Sequence, residues 1–253
     1  MAEGGLQEGE VKINIQIQHE YAGKGKSRLE QYQDMILGTR SLWFLVKFEF
    51  ITMFFTRMPG ALGIVLRKIF YPMILGEVGH GVVFGTDVFL RHPQKIKIGR
   101  GAIIDDGALL DAKGSNNQGI HIGEFCYIGR GTILSCKEGD MEIGDHSNIS
   151  TWCNISSNSK ITIGKKTLLG PYTSIFATMH NFDDTSTPIL DQSWTSKGVS
   201  IGDNCWLGAR VSVLDGVKIG SNTVVGAAAV VTEDLPESVV AVGIPAKVIK
   251  ERK

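Results

Sequence analysis

The sequence predicts an all-β solenoid of triangular section, and three observations between residues 201 and 234 predict it. An aliphatic side chain returns every six positions, at Ile201, Leu207, Val213, Ile219, Val225 and Val231. Glycine directly follows four of these, as Gly202, Gly208, Gly220 and Gly226. The residue four places after each aliphatic one is small, as Cys205, Val211, Val217, Thr223 and Ala229 show. A period of six matches neither a helical face nor the two-fold alternation of an ordinary strand, which leaves a stacked repeat. Three such hexapeptides close one coil of about eighteen residues, and stacked coils bury a continuous apolar axis.

Composition narrows the class. The chain has 253 residues, with 31 glycines, only 7 prolines, and 26 basic against 26 acidic side chains. That balance offers no basic surface for neutralising phosphates, so nucleic acid is not an expected partner. The cysteines, at 126, 136, 153 and 205, form no C-x-x-C pair and no zinc-type spacing. Cys126, Cys153 and Cys205 fall on the small interior position of their hexapeptides, which makes them packing residues of a reducing compartment; no metal site is expected. The N-terminus, MAEGGLQEGE, lacks the basic, apolar and cleavage segments of a secretory signal. The expected location is cytoplasmic, either free or peripheral at the inner face of a membrane.

Taken in order, residues 1–27 read as a flexible arm with one alternating patch, KINIQIQHE, able to pair as an edge strand. Residues 28–81 are apolar and aromatic but interrupted by Lys47, Glu49 and Arg57, so no window reaches the ~18 uncharged residues of a membrane span. They predict two or three helices, broken near Met58-Pro59-Gly60. Two roles stay open for residues 41–55: packing against the solenoid or a neighbouring subunit, or lying on a membrane with Trp43, Phe44, Phe48, Phe50, Phe54 and Phe55 toward lipid.

The solenoid is expected over residues 82–238. Its coils start at Ile98, Ile122, Ile143, Ile163, Ile201 and Ile219, separated by 24, 21, 20, 38 and 18 residues. Residues beyond eighteen must leave as corner loops, because extra residues within a coil would break the stacking register. The longest excursion runs over about 179–199, and polar loops of that length on a tight scaffold commonly carry function. It opens with His180. Residues 239–253 turn at Gly243-Ile244-Pro245 and end in a basic segment that can cap the open core.

From residue 163 onward the chain resembles the hexapeptide-repeat acyltransferases, in their galactoside, maltose and polysaccharide O-acetyltransferase branch. The motifs are the His-Asn loop entry at 180, IGDNCWLG over 201–208, VVGAAAVVT over 224–232 and GIPAKVI over 243–249. The likeness covers about residues 82–250, and RMPG over 57–60 is similar to a lead-in of some sugar and polysaccharide acyltransferases. The resemblance implies a left-handed parallel β-helix with an N-terminal helical extension, a homotrimer with grooves between neighbours, and acetyl-CoA as donor.

It also implies residue roles. His180 stands where the family's general base removes the acceptor proton; imidazole, with an unperturbed pKa of about 6.5, can take that proton and return it to the leaving thiol. Trp206 matches a tryptophan lining the pantetheine channel. Ala209, Gly226, Ala227 and Thr232 match small groove-lining positions, and Lys247 and Lys250 match basic positions that meet coenzyme phosphates. Glu233 departs from a common lysine and puts one phosphate contact in doubt. For the acceptor, Ser150 replaces a frequent asparagine, with Trp152 and Asn154 nearby and Asp183 and Asp184 placed to orient His180 or bind hydroxyls. His121 and His146 read as corner residues without a catalytic role, and Trp206 reads as an outer-corner residue.

The expected reaction is acetyl transfer from acetyl-CoA to a hydroxyl of a sugar or of a polysaccharide or lipid-linked glycan precursor. N-acetylation of an amino sugar and a non-catalytic scaffold are the alternatives. A γ-type carbonic anhydrase would need three zinc-binding histidines, and no second histidine accompanies His180 at the required spacing.

Overall fold

The protein is seen in a computed structural model that describes residues 25–253; the KINIQIQHE segment and nearly all of the expected arm lie outside the described residues. The first described element is helix α1, Arg28–Tyr32, opened by a capping box in which Ser27 and Glu30 each accept the other's backbone N–H. One π-helical turn, Gln33–Leu37, ends at Gly38 in the left-handed conformation. Helix α2, Leu42–Phe55, begins where the Ser41 hydroxyl accepts the Phe44 N–H, and helix α3, Gly60–Phe70, follows the break at Pro59.

Leu37, Phe48, Ile51, Tyr71 and Ile74 are buried together with the first coils, so the helices close one end of the apolar axis. The α2–α3 corner is held by Arg67, only 1% exposed, whose guanidinium donates to the carbonyls of Phe84 at 3.1 Å, Phe55 at 3.0 Å and Met58 at 2.7 Å. Gly63 is required there because a Cβ would sit 1.9 Å from the Met58 oxygen. The aromatic residues of 41–55 do not share one face. Phe48 is buried and Phe44 and Phe55 pack on the core, whereas Trp43, Phe50 and Phe54 are exposed, so the six aromatics expected on one lipid-facing side are divided by the helix period.

Beyond the helices the chain is a parallel β-helix. Among the described residues, strands stack into three faces of 7, 9 and 7 strands, plus one two-stranded ribbon. The first face includes Ile96–Ile98, Ile120–Ile122, Met141–Ile143, Ile161–Ile163, Val199–Ile201 and Lys218–Ile219. The second includes Ile103–Ile104, Tyr127–Ile128, Asn148–Ile149, Leu168–Leu169, Trp206–Leu207 and Val224–Val225. The third includes Phe89–Arg91, Leu109–Asp111, Ile133–Cys136, Asn154–Ser157, Ser174–Ala177, Ser212–Val213 and Val230–Val231.

The hexapeptide aliphatics pair in register up each face, as Ile122, Ile143, Ile163, Ile201 and Ile219 do on the first. Each is at most 3% exposed. The glycine after each aliphatic is fixed by the coil above it: a Cβ on Gly202 would lie 2.6 Å from the Ser221 nitrogen, and one on Gly208 2.6 Å from the Ala227 nitrogen. Small interior residues satisfy carbonyls of the next coil. Ser147 donates to Gly164 at 2.7 Å, Thr167 to Gly202 at 2.9 Å and Cys205 to Gly220 at 3.2 Å. All four cysteines are free and buried, and burial pushes their thiols up, that of Cys153 to about 11, so they stay protonated packing groups.

Two boundaries differ from the hexapeptide count. The first strand is Glu77–Val78, paired with Ile98, and Val239–Val242 still stacks on Val224–Val225 before Lys247–Glu251 folds back antiparallel. Coil register needs only one inward apolar residue per strand, which Ala241 supplies without the repeat motif. The excursions leave at a single vertex, between the third face and the first. Residues 112–119, 137–140, 158–160 and 178–198 all lie between a third-face strand and the next first-face strand.

Candidate active site

The longest excursion is built by its own hydrogen bonds. Met179–His180 pairs antiparallel with Trp194–Thr195, placing His180 directly opposite Trp194. His180 is exposed, and Trp194 is buried at the loop's root. Asn181 ties the strands through Ser193, its backbone N–H to the Ser193 carbonyl at 2.9 Å and its amide to the Ser193 hydroxyl at 2.8 Å. The return strand is pinned by the Ser196 hydroxyl, which donates to the Ala177 carbonyl and lies 2.8 Å from the Ser159 hydroxyl.

Asp215 closes the loop's exit, accepting N–H groups of Lys197 and Gly198 at 2.8–3.0 Å. Burial pushes its carboxyl above the usual range despite those donors. Trp194 and Asp215 were not singled out in the sequence. Asp215-Gly216 reads there as an ordinary turn, and only the pairing of the two loop ends shows that Trp194 stands opposite His180 in the ribbon.

Asp184 does not orient His180. It accepts from the Ser186 N–H and hydroxyl and from the Thr187 hydroxyl, which hold its carboxyl below the usual range. Asp183 is exposed and makes no hydrogen bond to His180 among the described residues. The Asp184 carboxylate therefore belongs to the loop's turn, where Ser186 and Thr187 hold it.

The other candidates are distributed around the prism. Trp206, 52% exposed, projects from the flat second face between Leu168 and Val224, not from a vertex as the repeat count suggested. The hexapeptide has two strand positions, and the one before the inward aliphatic points outward. His121 likewise is the outward residue of a first-face strand, whereas His146 does lie at a corner, stacked on Phe125 with ring centroids 5.2 Å apart. Ala209, Gly226 and Ala227 sit at the vertex between the second and third faces.

Ser150 and Trp152 lie at that same vertex in a lower coil, and Asn154 opens the adjoining third-face strand. Thr232 lies at the excursion vertex, in a coil above the His180 loop. Lys250 is on the last strand, edging the second face beside Val240, and Lys247 pairs with Glu233 at 3.1 Å. One copy therefore gathers the acceptor candidates and His180 along the two edges of the third face. Trp206 faces away from His180, since the excursion vertex is opposite the second face, whereas Ser150 and Trp152 lie at a vertex that bounds that face. Among the described residues no three His, Cys, Asp or Glu side chains converge as a metal site.

A family described as bacterial transferase hexapeptide (six repeats) matches residues 198–233. A probable acetyltransferase of Mycobacterium tuberculosis is 36% identical over 134 residues, 53% of this chain and 45% of that one, so the match spans less than half of that relative's length. A candidate lipopolysaccharide biosynthesis O-acetyl transferase of Escherichia coli is 35% identical over 146 residues, 54% of this chain and 74% of that one. Among solved structures, a polysialic acid O-acetyltransferase has the same fold, with a TM-score of 0.57 at 23% identity over 70% of this chain and 86% of that one. With the six-residue repeat, the stacked triangular coils and a relative covered over most of its length, the chain belongs to the left-handed β-helical hexapeptide-repeat acyltransferase family.

Proposed function

We propose that the protein transfers an acetyl group from acetyl-CoA to a hydroxyl of a sugar, or of a polysaccharide or lipid-linked glycan precursor, with His180 as general base. The observation that carries this reading is the exposed imidazole held on a hydrogen-bonded ribbon at the edge of a solenoid whose relatives are acetyltransferases. His180 takes the proton from the acceptor hydroxyl as its oxygen attacks the thioester carbon. The C–S bond then breaks, and the imidazolium returns the proton to the departing sulfur.

The donor groove is assigned to the second face and the vertex next to it. Trp206 offers an exposed indole to the pantetheine arm, while Ala209, Gly226 and Ala227 leave the backbone open to a thin ligand, and Lys250 supplies a cation at the upper end. Thr232, at the excursion vertex, belongs to the His180 side of the groove. Lys247 must exchange Glu233 for phosphate, so the donor contact there is weaker than two lysines would give. Ser150, Trp152, Asn154 and Asp183 are assigned to the acceptor. Because Trp206 and His180 of one copy face apart, the complete site is drawn from neighbouring copies, which a homotrimer of flat-faced prisms provides.

A panel of free and polymeric sugars incubated with acetyl-CoA, read by thiol release and by the acetylated product, tests the reading. Acceptor-dependent release is expected. Release that never depends on a hydroxyl-bearing acceptor, across a panel that includes lipid-linked glycans, overturns it.

A further inference from the structure

One outward row of the third face changes chemistry along its length, while the row beside it runs from Arg91 through Ser135 and Ser156 to Phe176. The residues of the changing row, Phe89, Leu109, Ile133, Asn154 and Ser174, pair in register from coil to coil, apolar for three coils and then polar. The strand that begins at Ser174 runs directly into the His180 loop. At the apolar end a cavity of about 580 Å³ opens between α2 and the face, with a larger apolar part that includes Phe48, Met53, Phe89 and Leu109 and a polar part of Glu49, Thr52, Thr56, Arg57 and Arg91. That is the size of a small-molecule site.

The cavity is continuous with exposed helix surface. Met53 both lines it and is 78% exposed, and Trp43, Val46 and Phe50 extend the apolar side of α2. Single exposed apolar residues need no explanation, but a contiguous set leading into a cavity does. Three strand spacings of ~4.8 Å separate Leu109 from Ser174, so the cavity and the polar row lie ~14 Å apart on one surface.

We propose that this cavity holds the lipid tail of the acceptor, which is a saccharide joined to an apolar chain. The inference rests on the acetyl transfer proposed above and names its substrate class. The tail lies between α2 and Phe89 and Leu109, the saccharide crosses onto Asn154 and Ser174, and a hydroxyl reaches His180. A mainly apolar cavity on the same face as the row that ends in Asn154 and Ser174 fits a molecule with an apolar end and a hydroxyl-bearing end. A uniformly polar polysaccharide would leave the cavity uncovered.

The test uses the full chain and matched probes: n-decyl β-glucoside below its micellar concentration against free glucose, and the same glucoside with a diazirine in the chain. Burying even two chain methylenes gives more than about tenfold, so the tailed acceptor is expected to show a KM at least about tenfold lower. In the Phe89→Asn and Leu109→Asn variants, whose melting reports folding, this preference collapses toward one. Irradiation is expected to label peptides of α2 and the Phe89–Leu109 region.

Equal KM values overturn the tail site and leave the transferase reading standing. If neither sugar is turned over, the label decides the tail site by itself: label elsewhere, or label unchanged in both variants, overturns it. Dissociation of the oligomer in either variant would show that a second copy covers this face, and would overturn it as well. Failure of acceptor-dependent thiol release across the sugar panel is the separate result that removes the transferase reading.

Discussion

At the residue scale, His180 and Lys247 show how neighbours decide what a candidate side chain can do. His180 lies outside the apolar positions of every coil, so its removal costs chemistry and not packing. His180→Ala is expected to leave melting and acetyl-CoA binding unchanged while lowering the transfer rate about 10²- to 10⁴-fold, with loss of the acidic limb of the pH–rate profile. Asn cannot accept the proton at neutral pH and is expected to be nearly as inactive. More than about a tenth of the wild-type rate in His180→Asn would move proton removal to another group. Lys247 is a different case, because Glu233 already occupies its ammonium. Both groups are exposed, so their pairing contributes little to stability. Glu233→Gln is therefore expected to lower the KM for acetyl-CoA about two- to fivefold with melting unchanged, as a freed exposed charge would. An unchanged donor KM would remove Lys247 from the phosphate contacts.

At the scale of elements, one buried cation ties the helices to the solenoid alongside their apolar contacts. Among the described residues Arg67 has no carboxylate partner, and its guanidinium donates to carbonyls at the end of α2, in the following turn and in the first coils. Arg67→Ala leaves those buried acceptors unpaired and opens a void, which is expected to cost about 3 kcal/mol or more. Calorimetry or denaturant melts of the full chain measure it; a loss below about 1 kcal/mol would mean that the apolar stripe alone docks the helices. The excursion illustrates the reverse economy, since a polar loop is held at its root by Asn181, Ser193, Ser196 and Asp215 while its tip stays exposed. Its length and polarity were legible in the sequence. Its ribbon pairing was not, because two residues per strand carry no periodicity and the partners are fourteen positions apart, as His180 and Trp194 are.

At the scale of the whole molecule, the separation of Trp206 from His180 leads to a test of assembly. If each site takes His180 from one copy and Trp206 from the next, refolding His180→Ala and Trp206→Ala chains together restores full sites in roughly a quarter of positions of a random trimer. Activity at limiting acetyl-CoA is expected to exceed that of either variant alone. No gain from co-refolding, or a sedimentation mass near the chain's 27.5 kDa, would mean that one copy holds a complete site. The sequence by itself determined the solenoid, its coil starts, its buried small residues and the loop that carries His180, because each is written as a short-range repeat or as a break in one. Only the tertiary structure decided that every excursion leaves at one vertex, that Trp206 lies on a flat face opposite that vertex, and that α2 roofs a cavity on the third face. These depend on which residues lie above one another after several coils, and on a helix packing across the sheet. Neither is encoded in the spacing of six.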